Sequence, residues 1–215
     1  MAKRAEYLGP ERRRPLVLDA ALEIFAEGGF SDASMQAIAD RAGVSKAVLY
    51  DCFPGGKQEI YYALLERSEH TFMEHMVDVL ERTDRLSIDE SLRQGLRAFL
   101  DYAEIHPHSF RVIFGDAGTR DSELALRSER AREKIVFLMR ERTHERMRAA
   151  GIAPSATSDV YPRAIVAVGE DLARWILREP GVPREDVIDA LVNWFMRGFS
   201  ALIPNEPVRP HLVRD

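Results

Sequence analysis

Residues 34–53 read SMQAIADRAGVSKAVLYDCF. Met35, Ile38 and Ala39 recur at helical spacing up to Gly43, and Lys46 to Tyr50 form a second short helical segment. A serine precedes each segment, Ser34 and then Ser45, where a hydroxyl accepts from an orphan amide of the first turn. Gly43 falls in the connection, which needs a residue tolerant of positive φ. Two short helices joined by such a turn have the helix-turn-helix layout. Ala39, Val44 and Leu49 are the small or apolar positions that lock the pair together. Lys46, Ala47, Val48 and Tyr50 are left near the exposed N-terminal end of the second helix, where a recognition helix meets base edges.

Helical periodicity continues on both sides of this segment. Upstream, Val17, Ala21, Ile24 and Phe25 line one face of a helix that begins at or after Pro10 or Pro15 and is expected to stop at Gly28-Gly29. Downstream, Pro54-Gly55-Gly56 breaks the chain before a long amphipathic helix over about residues 57–81. Further helices are expected at about 88–105, 108–115, 121–150, 158–178 and 184–203, punctuated by Pro107, Gly115 to Gly118, Gly151 to Pro154, and Pro180 to Pro183. No run alternates with period two for long enough to suggest a strand, so the fold class is all-α.

With these elements in place, residues of about 14–65 resemble the N-terminal domain of TetR-family transcriptional regulators. The matching positions run through Ala20-Ala21, Leu22, Phe25, Gly29-Phe30, Ile38-Ala39, Ala42-Gly43-Val44-Ser45, Leu49-Tyr50, Phe53 and Lys57. The resemblance implies a three-helix DNA-binding domain over 1–57, followed by a helical effector-binding and dimerisation bundle over 58–215. It implies that Ser34, Tyr50 and Lys57 contact DNA phosphates, and that Met35, Gln36, Lys46, Ala47 and Val48 face the major groove. There Lys46 donates to guanine O6 or N7, while Ala47 and Val48 pack against thymine methyls. Lys3, Arg4, Arg12, Arg13 and Arg14 form a candidate arm for phosphate or minor-groove contacts. The chain departs from the family pattern at two places. Cys52 stands where the family often has histidine, and Gly55-Gly56 loosens the loop before Lys57 by one residue.

Composition agrees with a soluble globular protein: 46% hydrophobic and 30% charged residues in a chain of 215. The first 57 residues carry eight basic and eight acidic groups, so the formal net charge of -5 belongs to the remainder. An acidic total argues against a non-specific polyanion binder but leaves room for a local basic patch. Cys52 is the single cysteine, Met1 to Gly9 has no apolar core of a signal peptide, and no run is long enough to span a membrane. A cytoplasmic setting with no membrane partner is the expectation.

Catalytic signals are weak. His106 and His108 flank Pro107, and Glu141-x-x-His144 has the spacing of one helical metal pair, but carboxylate-bridged metal sites need two such pairs. No phosphate loop, nucleophile elbow or zinc spacing occurs. No enzyme activity, cofactor or metal is expected. Tyr102, His106, Phe110, Phe114, Phe137 and Trp175 are the candidate lining of an effector pocket, since a small-molecule site is apolar with a few polar groups. The last two helices present a broad apolar face, including Trp175 and Trp194. In the family that face builds a two-fold dimer, which matches a palindromic site. The resulting expectation is a ligand-responsive dimeric regulator, a repressor before an activator. A helical small-molecule binder with a vestigial DNA-binding domain is the alternative.

Overall fold

A computed structural model describes residues 9–115, 122–179 and 181–200, and among them every regular element is helical. Lys3 and Arg4 of the expected arm, and any extension of the last helix past residue 200, lie outside the described residues.

The first helix, α1 (Pro10–Asp32), starts at the earlier of the two candidate prolines. It does not end at Gly28-Gly29: Gly29 adopts φ 71° and kinks the helix, and one further turn runs to Asp32. A positive φ at glycine interrupts the hydrogen-bond ladder without the steric cost another residue would meet. Helices α2 (Met35–Ala42) and α3 (Lys46–Cys52) follow, each capped by its serine: Ser34 Oγ accepts from Ala37 N at 3.1 Å and Ser45 Oγ from Val48 N at 3.3 Å. Between them Gly43 sits at φ 66° and ψ 31°, and Val44 N donates to Ala39 O at 3.0 Å, closing the end of α2 in a left-handed cap.

The chain continues through α4 (Gly56–Arg82), α5 (Ile88–Ile105), α6 (Pro107–Phe114), α7 (Ser122–Ala149), α8 (Val160–Arg178) and α9 (Arg184–Ser200). A short 3-10 turn, Ala156–Asp159, precedes α8, so Ser158 belongs to that turn rather than to the helix. The looser loop at Gly55-Gly56 is absorbed by the start of α4. Gly56 takes φ 67°, its N–H bonds Phe53 O at 2.9 Å, and Lys57 is the helix's second residue.

Two apolar cores result. One gathers Val17, Ala21 and Phe25 of α1 with Ile38, Leu49 and Phe53, and extends along α4 through Ile60, Tyr61 and Leu64. The other contains Phe72 and Met76 of the same helix with the inner faces of α5 to α9. Helix α4 therefore belongs to both cores, and packing carries the first one past residue 57 to Leu64. Three arginines fasten α9 along α5: Arg93 to Asp189, Arg97 to Glu185 at 2.7 Å, and Arg184 to Asp101 at 2.6 Å.

The left-handed cap at Gly43 makes a direct test of this geometry. A Gly43→Val substitution forces a β-branched residue to positive φ and should lower unfolding free energy by about 1–2 kcal/mol. Urea denaturation of the two proteins will show it as a reduced midpoint at unchanged slope.

Candidate nucleic-acid interface

A helix of seven residues gains little stability from its own hydrogen bonds. Its position is set by what it buries and by what holds its ends. Leu49 and Cys52 of α3 are buried against α1 and α4, and Phe53 just beyond is fully enclosed. Arg14 of α1 donates from Nη1 to the Cys52 carbonyl, and its guanidinium lies 4.1 Å from the centre of the Phe53 ring. It also stands 3.7 Å from Glu59 of α4. Arg14 is thus engaged in binding α1 to the end of α3. Arg12 beside it is exposed.

Helix α2 is pinned similarly. Arg41 pairs with Glu23 and Glu27 of α1, and Arg67 of α4 reaches Asp19 at 2.8 Å. These contacts keep the outer surface of the motif on a rigid base. On that surface Ser34, Gln36, Lys46, Ala47 and Tyr50 are exposed, and Met35 and Val48 are half-buried. Gln36 donates to Asp40 at 2.8 Å, one turn on. Tyr50 is 43% exposed. Its ring lies close to Gly56, where an added Cβ would meet Cε1 at 3.7 Å.

Lys57 has a different placement from the one its resemblance implies. Its ammonium donates to the carbonyls of Phe30 at 2.7 Å and Ala33 at 2.8 Å, with Ser31 O at 3.4 Å, and it lies 4.4 Å from the centre of the Phe30 ring. A lysine ammonium has three donors, and here three carbonyls at the end of α1 receive them. The side chain caps that helix end and so fixes the corner from which Ser34 and α2 emerge. The sequence signals the break at Gly28-Gly29, but not that Lys57, 24 to 27 residues further on, meets the carbonyls beyond it.

Cys52 is buried, and desolvation pushes its thiol pKa up against the pull of Arg13 and Arg14. A raised pKa keeps it a protonated, inert packing group.

The connection to the second core runs through α6. Arg111 donates to Ala26 O of α1 at 3.2 Å, and Val112 packs with Leu65 and Ala131 against Leu22 of α1. In the same last turn of α6, Arg132 and Arg174 both donate to the Phe114 carbonyl, at 3.0 and 3.1 Å. Glu170 lies between these arginines, and burial pushes its carboxyl pKa up against their attraction.

Tyr102, Phe110 and Phe114 are buried within a cluster of mutually edge-on or tilted rings that includes Phe72 and Phe99. The Tyr102 hydroxyl bonds Ser68 O at 3.3 Å, and burial pushes its pKa up to about 12. His106 is exposed, with its ring 4.9 Å from that of Tyr102. Phe137 and Trp175 reach the surface, Phe137 being 54% exposed and lining an outer groove of about 760 Å³.

More enclosed space lies elsewhere in this domain. A cavity of about 290 Å³ lies between the C-terminal end of α4, the start of α5 and the last turns of α7. It adjoins a smaller apolar one of about 60 Å³ reaching α8. None of the six residues expected from the sequence lines either cavity. Tyr102, Phe110 and Phe114 of that set pack against one another and against Phe72 and Phe99, and Phe72 and Phe99 join leucine, methionine and β-branched residues in the wall of the inner cavity. Among the described residues no group of three metal-ligating side chains converges, and His144 bonds Asp159 at 2.8 Å. No helix among them is long and apolar enough to cross a membrane.

A short recognition helix presented by a three-helix base, joined to a separate helical domain with an internal cavity, defines a helix-turn-helix regulator. Residues 17–64 match the family described as bacterial regulatory proteins, tetR family, and residues 88–198 match the tetracyclin repressor-like C-terminal domain. The chain is 30% identical over 206 residues to the HTH-type transcriptional activator FasR of Mycolicibacterium smegmatis, spanning 92% of this chain and 88% of that one. A TetR-like transcriptional regulator from Rhodococcus sp. RHA1 superposes with a TM-score of 0.70 at 24% identity, over 93% of this chain and 99% of the other. AibR, solved in complex with isovaleryl coenzyme A and operator DNA, gives a TM-score of 0.66 at 20% identity, covering 85% and 97%. The chain belongs to the TetR family of transcriptional regulators.

The Lys57 cap separates a structural from a DNA-contacting role. Lys57→Met keeps the length of the side chain but leaves three carbonyls without a donor. It should destabilise the free protein by about 1–3 kcal/mol. Thermal unfolding without DNA will register that loss, and an unchanged midpoint would contradict the cap.

Proposed function

We propose that this chain is a dimeric operator-binding regulator whose hold on DNA is set by a small-molecule effector in the C-terminal domain. The observation that carries the reading is the exposed surface of α2 and α3. Lys46, Ala47, Gln36 and Tyr50 are exposed on a motif whose buried side is fastened to α1 and α4. Lys46 and Ala47, with Val48, Met35 and Gln36 at the edges, read bases in the major groove. Ser34 and Tyr50 hold phosphates, and exposed Arg12 adds a salt-dependent contact. Lys57 acts as a positioning residue through its cap on α1.

A palindromic site requires two recognition helices related by a two-fold axis. Helix α9 buries Ile188, Leu191, Val192 and Phe195 in its own core and leaves Trp194 58% exposed. A large exposed tryptophan with a buried face behind it supports self-association through α8 and α9. The proposed setting is the cytoplasm, where the DNA is. AibR, of like fold, was solved with both an acyl thioester and operator DNA, which supports an effector-coupled reading here. Whether occupancy turns a gene on or off depends on where the operator lies relative to its promoter.

Selection of genomic fragments by the purified protein, at about 150 mM salt where phosphate-only binding is weak, tests the reading. Recovery of a palindromic site supports it, and sequence-independent binding alone overturns it. On the recovered site, Lys46→Ala should weaken binding by about 1–3 kcal/mol and relax preference at one base pair per half-site. Trp194→Asp should shift the protein toward monomer in sedimentation analysis, and operator affinity should fall with it.

A further inference from the structure

The two adjoining cavities have opposite chemistry at their ends. They share Leu80, Ser91, Leu92 and Met139, so the boundary between them includes flexible leucine and methionine side chains. The outer cavity is bordered by Arg142 and Arg146 of α7 together with Thr83, Thr143 and Ser155. The inner one is walled by Phe72, Phe99, Ile135, Ile165 and Val166, with little but carbon facing the space.

Arg146 is half-buried, and the two hydrogens of its Nη2 are shared among acceptors within reach: Thr83 O at 2.9 Å, Asp84 O at 3.0 Å, Leu86 O at 3.3 Å and Ser91 Oγ at 2.9 Å. All of those acceptors are uncharged, and no carboxylate among the described residues forms an ion pair with it. Arg142 on the same face bonds Leu80 O at 3.1 Å and is paired with Asp84 and Glu145. Burial, followed by repulsion from Arg142, lowers the Arg146 pKa against the pull of Asp84. Asp84, the carboxylate that acts on Arg146, is itself ion-paired with Arg142, so the two arginines share one local counter-charge there, and an incoming anion relieves the cost of the half-buried guanidinium. Arginine also suits planar carboxylate or phosphate oxygens.

The inner cavity has a second unusual feature. Gly95 and Gly169 both line it from helix interiors, in α5 and α8. Glycine within a helix costs about 0.5–1 kcal/mol relative to alanine. Neither position needs glycine for its backbone, since neither has positive φ. Neither is forced by close packing: a Cβ at Gly95 would meet nothing within 4 Å, and at Gly169 only ordinary contacts, to Phe99 at 3.8 Å and Leu96 at 4.0 Å. Both glycines leave room that a side chain would take.

We propose that the joined cavities bind a single-chain anionic amphiphile. Its head is held by Arg146 and Arg142, and its hydrocarbon chain passes Leu92 and Met139 into the inner cavity, where Gly95 and Gly169 set the chain length admitted. This rests on the reading of the protein as effector-controlled and assigns the chemistry of that effector. The anionic head is a free carboxylate or the phosphates of an acyl thioester; both satisfy the arginines.

Calorimetric titration of the full chain with hexanoate, tetradecanoate, methyl tetradecanoate and tetradecanoyl coenzyme A tests it. Tetradecanoate or its thioester should bind at least about tenfold tighter than the uncharged ester, a difference of about 1.4 kcal/mol. Whichever anion binds tighter identifies the source of the head group. Gly95→Leu, which improves helix propensity and fills open space, should lose about tenfold or more for the long chain while keeping hexanoate. Arg146→Gln should erase the preference for the anion over the ester. If that variant does not fold, the ester comparison and Gly95→Leu still decide. Equal binding of ester and acid, no binding of either long-chain anion, or an unaltered chain-length profile in Gly95→Leu would overturn the proposal. Operator affinity measured with and without the bound amphiphile separates the two readings. Binding without any change in DNA affinity retains the ligand assignment and removes the effector role. Operator release by other metabolites, with no amphiphile bound, does the reverse.

Discussion

A seven-residue helix has almost no stability of its own, so the reading surface of this protein exists only because other elements hold it in place. Leu49 and Cys52 sink into the first core, Arg14 reaches across from α1 to the last carbonyl of α3, and Gly43 fixes the angle at which α3 leaves α2. At the opposite corner Lys57 gathers the carbonyls left open where α1 kinks. The side chains that would meet DNA are therefore few, exposed and lightly engaged, while the residues that aim them are buried and bonded. A disturbance at Arg14 or Lys57 reaches the interface without touching the nucleic acid.

The same logic links the two cores. Helix α4 runs through both, and a continuous α-helix transmits rotation of one end to the other. Helix α6 supplies a second attachment, through Arg111 on the Ala26 carbonyl and through the small cluster of Leu22, Leu65, Val112 and Ala131. Two attachments at different points let a shift of the C-terminal bundle tilt the DNA-binding domain. Couplings between such sites are typically about 1–3 kcal/mol, or some 5- to 150-fold in affinity. The same last turn of α6 is anchored through the Phe114 carbonyl on Arg132 and Arg174, which flank buried Glu170, so movement there meets resistance from charge as well as packing.

Inside the bundle, the division between filled and open space follows side-chain shape. Phe72, Phe99, Tyr102, Phe110 and Phe114 interlock at ring distances of 4.7 to 5.7 Å and make a dense wall. Beside that wall, leucines, methionines and two helix-interior glycines leave the paired cavities. The dense part gives the domain its rigidity, and the open part lies next to the α4 terminus. An occupant there would press on the same helix that supports the recognition motif.

Much of this architecture was legible in the chain. The helical class followed from periodicity, the caps at Ser34 and Ser45 and the turn at Gly43 from residue type, and the exposed face of α3 from where Ala39, Val44 and Leu49 must be buried. These are local properties, set by backbone geometry over a few residues, and one sequence determines them. The rest depended on which distant residues meet. The use of Lys57 as a cap required the kink at Gly29, and the engagement of Arg14 required α3 to end against α1. Of the aromatic residues that suggested a pocket, Tyr102, Phe110 and Phe114 pack on one another and Phe137 and Trp175 reach the surface, while the enclosed space formed beside Phe72 and Phe99 among mostly aliphatic positions. Helix crossing angles decide which side chains interlock and where gaps remain, and these arise from the packing of all nine helices described rather than from any one segment.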